Sequence, residues 1–193
     1  MEHADFWAKL EQLQPLSPAA REAVQSLLRA VLVPKGALVQ APGSRCNTVY
    51  FVESGLARIF YLLDGKDVTE HFALEYQPIV RAESLFTGQP TSKGIEALEA
   101  STLLTLHAPS LFALYDAHPD VERLFRRLFE HEHIQVLRRL ESLQFKTAEE
   151  RYHELEGQPE LLRRIPLKYL ASYLGITPES LSRIRAGKKS GRG

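Results

Sequence analysis

The residues with the clearest chemistry lie near the end of the chain, in Thr177-Pro-Glu-Ser-Leu-Ser-Arg-Ile-Arg185. Glu179, Ser180, Ser182, Arg183 and Arg185 carry hydrogen-bonding groups around one side of a predicted helix, with Leu181 and Ile184 on the other. A guanidinium can make a bidentate pair with guanine O6 and N7, and a carboxylate can accept from cytosine N4. Thr177 suits the N-cap of this helix and Pro178 its first turn. Just before it, Leu167, Leu170, Ala171 and Leu174 fall at i, i+3, i+4 and i+7, one apolar face of a shorter helix opened by Pro166. Gly175 follows the last periodic residue, where a left-handed turn favours a residue without Cβ. Small Ala171 lets the two helices approach. The pattern is a helix-turn-helix that presents polar residues to a DNA major groove.

Charge supports this reading. Eight residues between 163 and 193 are Lys or Arg (163, 164, 168, 183, 185, 188, 189 and 192), against one acid, Glu179. The whole chain is balanced at 24 against 24, so a neutral total hides a basic end suited to phosphates. Thr177, Ser180, Ser182 and Arg185 are expected at phosphates or at the flanks of a site. Lys188, Lys189 and Arg192 would add salt-sensitive, sequence-blind affinity, or form a solvated basic tail.

The elements that must position this end come earlier. Residues 4–30 read as helical, with Leu10, Leu13 and Leu16 on one face and Ser17-Pro18 restarting a helix. Residues 31–107 alternate short β-rich runs with turns. The runs include Thr48–Val52, Ala57–Leu62, Val68–Ala73 and Leu103–Leu106, and Asp64-Gly65 marks a hairpin. Many short strands at regular spacing predict a jelly roll. Pro109-Ser110 opens a short helix, and Pro119 a long one to about Phe145. The apolar residues of the long helix cover more than one sheet requires, and a second subunit is the natural occupant of the spare face. Val121, Phe125, Leu128, Val136, Leu140 and Leu143 are the expected dimer residues. One more helix through Leu155 leads to a loop at Gly157-Gln-Pro159. The expected fold is α+β: helices and a β-roll at 1–118, a dimerisation helix at 119–145 and a helix-turn-helix domain at 146–193.

One cysteine, Cys46, excludes a disulfide framework and a multi-cysteine metal or iron–sulfur site within one chain. No apolar run approaches membrane-spanning length, and the N-terminus is too charged for a signal peptide, so a cytoplasmic protein is expected. A metal-dependent cupin enzyme would need His-x-His on a strand. The His131-Glu132-His133 of this chain falls in a helix, where i and i+2 do not share a face. No metal, cofactor or catalytic set is expected. A protein-interaction module that no longer binds DNA is the remaining alternative, and the basic end argues against it.

In order and spacing, Lys35-Gly36, Gly43, Tyr50-Phe51-Val52 with Gly55, Arg58, Asp64-Gly65-Lys66, the Glu83–Ser92 segment, Ile95-Glu-Ala-Leu-Glu99 and the 177–185 run resemble the Crp/Fnr family of bacterial transcription regulators. The resemblance covers nearly all of the chain. It implies a homodimer with the long helix as its seam and two recognition helices about one DNA turn apart on a palindromic double-stranded site; RNA polymerase is a candidate further partner, but the sequence gives neither a surface for it nor whether the chain activates or represses. It implies Glu179 and Arg183 as the base-reading residues. Pro178 stands where many members have a first Arg, so the half-site should differ. Residues 186–193 are too short for the family's β-hairpin wing. In the family the roll is a sensor, and Arg81, Glu83, Ser84, Thr91, Ser92 and Lys93 form the corresponding candidate effector pocket. Ala82 and Thr91 replace the family's phosphate-binding Gly and Arg, and the segment is one residue shorter. The expectation is a regulator not controlled by cyclic AMP. A regulator of the same family that responds to a cyclic nucleotide or to another small ligand, or to none, remains open, as does a reading in which Glu83 and Ser92 merely cap a short helix. His71, His107 and His118 are isolated and read as surface or hydrogen-bonded residues rather than haem ligands.

Overall fold

The computed structural model describes residues 3–190, with side chains through Gly187. Two helices open it, α1 (Ala4–Leu10) and α2 (Pro18–Leu27). The Ser17 hydroxyl caps α2 by accepting from the Ala20 N–H, and Asp120 accepts from the Ser17 N–H at 2.7 Å. The helical reading to residue 30 overran. Leu28 is already extended, and β1 (Arg29–Val33) pairs with β8 (Ser101–His107) from Arg29 onward. The apolar run Leu27-Leu28…Val31 suits either period, and the available strand partner decides it.

The remaining strands are β2 (Leu38–Gln40), β3 (Thr48–Ser54), β4 (Ala57–Leu63), β5 (Lys66–Ala73), β6 (Pro78–Ile79) and β7 (Gly94–Ala97). They form two four-stranded antiparallel sheets, ordered β1-β8-β3-β6 and β2-β7-β4-β5. Val52, Ala57, Ile59, Ala73, Ile79, Ile95 and Leu103 fill the roll between them. Asp64 and Gly65 both have positive φ (49° and 74°), the conformation a two-residue hairpin between β4 and β5 requires. Gly55, in the turn from β3 to β4, has φ +104°, and a Cβ there would lie 2.2 Å from Ser101 Oγ. The short helix α3 (Ala82–Thr87) lies between β6 and β7.

After α4 (Ala108–Phe112), the 27-residue α5 (Pro119–Phe145) crosses the roll. Its first half packs Val121, Leu124, Phe125 and Leu128 against Phe6, Trp7, Phe51 and Leu104. Then come α6 (Ala148–Leu155), α7 (Pro159–Arg164), α8 (Leu167–Tyr173) and α9 (Pro178–Ser190). Thr147 and Glu150 form a reciprocal capping box at the start of α6. The expected loop at Gly157-Gln-Pro159 is shorter than predicted, because Pro159 sits in the first turn of α7 instead of ending a helix. Among the described residues no helix is long and apolar enough to cross a membrane.

Candidate nucleic-acid interface

The pair α8–α9 forms from the residues that marked it. Leu170, Ala171, Leu174 and Leu181 are buried and pack with Ile176 and Ile184. The Ile176 N–H donates to the Ala171 carbonyl and the Gly175 N–H to the Ser172 carbonyl, both at 3.0 Å, with Gly175 at φ +69°. That is a Schellman motif, which turns the chain between the helices. Thr177 Oγ1 accepts from the Ser180 N–H at 3.2 Å and caps α9.

Around α9, Thr177, Pro178, Glu179, Ser182 and Arg183 are exposed. Arg183 has one described side-chain contact, to Ser180 Oγ at 3.3 Å, so most of its donors remain available. Its own backbone N–H, the Thr177 hydroxyl and the Arg183 charge hold the Glu179 carboxyl below its ordinary pKa, keeping it an acceptor. Ser180 and Arg185 depart from the expected outward placement, since both are half-buried. The Arg185 guanidinium lies 5.6 Å from the Tyr152 ring centre, drawn back over the core of the unit. The side chains of Lys188 and Lys189, and Arg192 altogether, lie outside the described residues.

The basic residues from 163 to 168 are not uniformly free. Arg163 pairs with Glu160, and Lys168 lies over the Tyr169 ring. Arg164 turns inward to Glu75 and Glu99, at 2.7 and 2.5 Å. On α8, the centre of the Tyr169 ring lies 3.6 Å from the Arg58 guanidinium. Arg58 is 2% exposed and donates to Asp67, Thr69 and Glu96. Ser172 Oγ accepts from the Thr69 N–H at 2.9 Å and donates to the Asp67 carbonyl at 3.1 Å. Phe72 packs against Tyr173. Arg58 and Glu99 stood in recognisable motifs of the sequence, but nothing local indicated that they face the C-terminal helices.

The candidate effector residues do not converge. Arg81 is 2% exposed, and its guanidinium donates to Gln40 Oε1, Ser44 Oγ and the Ala41 and Lys93 carbonyls. The Lys93 ammonium pairs with Glu70 at 2.6 Å. Ser84 is buried, accepting from the Cys46 N–H and donating to the Gln89 carbonyl. Thr91 is buried, and its carbonyl accepts from the Gly43 N–H at 2.7 Å. Glu83 and Ser92 are exposed. Neither caps α3, whose N-cap residue is Arg81 with no side-chain cap bond. In this structure the cations of the set neutralise protein oxygens and stitch loops together.

The dimer set divides in two. Val121 and Phe125 are fully buried and Leu128 is 4% exposed, so they hold α5 to its own roll and cannot face a second subunit. Val136, Leu140 and Leu143 stand out at 60%, 49% and 39% exposure. They continue a four-three spacing that starts at Phe129 and His133. A groove of about 580 Å³ lies on the same face, lined chiefly by Phe86, Phe112, Tyr115 and Phe129. His71, on β5, has its pKa lowered to about 4 by burial and by the nearby Arg139. His107 is hydrogen-bonded to Ser110. Among the described residues no group of three or more His, Cys, Asp or Glu side chains is placed to hold a metal ion.

Comparison with known proteins places this geometry. Residues 30–118 match the cyclic nucleotide-binding domain family. No curated relative matches the chain in sequence. Among solved structures it is similar to FixK2 from Bradyrhizobium japonicum, with a TM-score of 0.72 and 21% identity over 84% of this chain and 85% of that one. The Thermus thermophilus catabolite activator protein gives 0.58 at 25% identity, over 94% and 86%. A Crp/Fnr-family structure from Eubacterium rectale gives 0.72 at 17%, over 99% and 89%. The chain thus has the fold of solved Crp/Fnr-family regulators, and the part of it that matches the cyclic nucleotide-binding domain family is the roll.

Proposed function

We propose that this chain is a homodimeric, sequence-specific DNA-binding transcriptional regulator whose DNA binding does not require cyclic AMP. The observation that carries the reading is the open face of α9, where Glu179, Ser182 and Arg183 stand exposed on a helix fixed by a Schellman turn and a Thr177 cap. A helix held this way can enter a major groove with its side chains in one register. The exposed Val136, Leu140 and Leu143 support a second copy as the partner of α5. In this reading 1–118 is the roll domain, 119–145 the dimerisation helix and 146–193 the DNA-binding domain. RNA polymerase is the further partner at a promoter, and the cytoplasm is the compartment.

Independence from cyclic AMP is supported by the engagement of Arg81 and Lys93 with protein oxygens. A buried phosphate diester requires a guanidinium or several amide donors left free for it. The match of 30–118 to the cyclic nucleotide-binding domain family favours a second reading, a regulator of the same kind that answers to a small ligand.

The test is selection of fragments from random and genomic DNA by the purified chain at near-physiological salt, with and without cyclic AMP. A palindrome with half-sites about one turn apart, recovered equally in both arms, is the expected result. Recovery only with cyclic AMP supports the second reading. Sequence-blind, salt-sensitive binding in both arms overturns the first.

A further inference from the structure

We propose that Arg164, Tyr169 and Ser172 are positioning residues for DNA recognition: they dock the helix-turn-helix on the edge of its own roll and hold it in the reading pose. The proposal rests on the reading of α8–α9 as the DNA-binding unit, and goes beyond it by naming what fixes that unit in place.

Arg164 sits where three turns of the roll meet. Its guanidinium donates to both oxygens of Glu75, just beyond β5, and to both oxygens of Glu99, between β7 and β8. Glu75 also accepts from the N–H of Gly55, between β3 and β4. One guanidinium fork therefore neutralises two carboxylates that would otherwise face each other across a turn. Removing it leaves like charges in close quarters.

A second attachment lies along β5, which forms one edge of the sheet β2-β7-β4-β5. An edge strand leaves backbone donors and acceptors unpaired. Ser172 satisfies one of each, taking the Thr69 N–H and giving to the Asp67 carbonyl. Next to it, the Tyr169 ring covers Arg58, whose donors are occupied by Asp67, Thr69 and Glu96. A guanidinium with its edge saturated and its face covered is a rigid platform.

The far end of α8 is pinned as well. Arg139 of α5 donates to the Tyr173 carbonyl, and Arg151 of α6 to the Leu174 carbonyl, each at 2.8 Å. These are helix-terminal carbonyls that lack intrahelical partners. The roll, α5 and α6 thus converge on α8, while the outer residues of α9 remain exposed. In a dimer joined through α5, the distance between two recognition helices is then a property of folded side chains.

The experiment uses the full chain and two variants, Arg164→Gln and the roll-side double variant Glu75→Gln/Glu99→Gln. The first readout is hydrogen exchange of the Thr69 amide, which is protected by Ser172 only while α8 is docked. The second is affinity for the selected DNA site and for unrelated DNA across a salt series. Both variants are expected to exchange Thr69 faster, and to lose about tenfold in specific affinity with non-specific affinity and salt slope unchanged. Arg164→Lys should recover part of the specific affinity. Unchanged Thr69 exchange in both variants overturns the docking. Equal loss on both DNAs by Arg164→Gln alone, with the salt slope smaller by about one, makes Arg164 a phosphate contact and overturns the proposal. A wild-type chain that selects no site overturns the DNA reading, while Thr69 exchange still decides whether α8 is held by Arg164.

Discussion

Replacing Leu140 with glutamate separates the two halves of α5. In the single chain Leu140 is 49% exposed, so about half of its apolar surface has no partner. Fully burying a leucine is worth roughly 1.5–3 kcal/mol, so a partner helix would gain about 1 kcal/mol from each copy. Two-fold symmetry counts the residue twice, about 2 kcal/mol in all. Glutamate removes that gain and brings two carboxylates toward the same axis, each desolvated without a cation, which adds a few kcal/mol more. A total of roughly 3–5 kcal/mol corresponds to dimerisation weakened about 10²–10⁴-fold. Sedimentation equilibrium over a concentration series reads this directly, and a thermal melt shows whether the single-chain fold survives. Phe125→Ala is the contrasting variant. Its side chain is fully buried against the chain's own Phe51, so it should lower stability by roughly 3–5 kcal/mol through the core. A sedimentation profile for Leu140→Glu identical to wild type would refute the assignment of this face to a second copy.

Three other outcomes are expected. Arg183→Ala should lose about 1–3 kcal/mol at the specific site and relax the preference at one base position; an unaltered preference in a repeated selection would remove Arg183 from the reading set. Gly55→Ala should lower stability by at least about 2 kcal/mol, because φ +104° strains any Cβ and Ser101 Oγ stands 2.2 Å from it; an unchanged urea midpoint would show that the turn yields freely. Acid should weaken the fold through His71. Burial, followed by the Arg139 charge, holds its folded pKa at about 4, below the ordinary 6.5, so the unfolded chain takes up the proton first as pH falls. The lost stability builds between pH 6.5 and 4 and reaches up to about 3 kcal/mol at roughly 1.4 kcal/mol per unit. His71→Gln should flatten that slope relative to wild type in urea titrations at pH 7 and 4.5, and parallel slopes would clear His71 of the effect.

What the sequence disclosed, and what it withheld, follows the range of the forces involved. The turn at Gly175, the cap at Thr177 and the hairpin at Asp64-Gly65 are local. Each depends on backbone conformation over a few residues, and each appears in the structure where the residue types put it. The jelly roll was legible for the same reason, as a series of short strands between turns. The inward and outward faces of α5 were not separable, because apolar residues line both and only the roll decides which half of the helix it covers. Val121, Phe125 and Leu128 went to that roll. Arg164 looked like its basic neighbours, yet one of its partners lies 89 residues earlier in the chain. Arg81 suffered the same ambiguity: a cation in a sensor loop can meet a ligand or a set of carbonyls, and only folded geometry distinguishes them. Pro159 served equally as a loop signal or a helix opener, and the residues after it chose the helix.

The edge of β5 sets a schedule for synthesis. Its last residue is Ala73, while α8, which covers it, begins at Leu167. At roughly 5–20 residues per second, a nascent chain carries that edge uncovered for roughly 5–20 s. The exposed Leu62 and Leu63 lie at the tip of the same hairpin. An open strand beside apolar residues is a template for pairing with another chain. Lys66, Asp67 and Glu70 place charges along β5, the usual guard against such pairing. A fragment ending at residue 145 would lack the cover permanently, and should self-associate through strand addition where the longer chain does not.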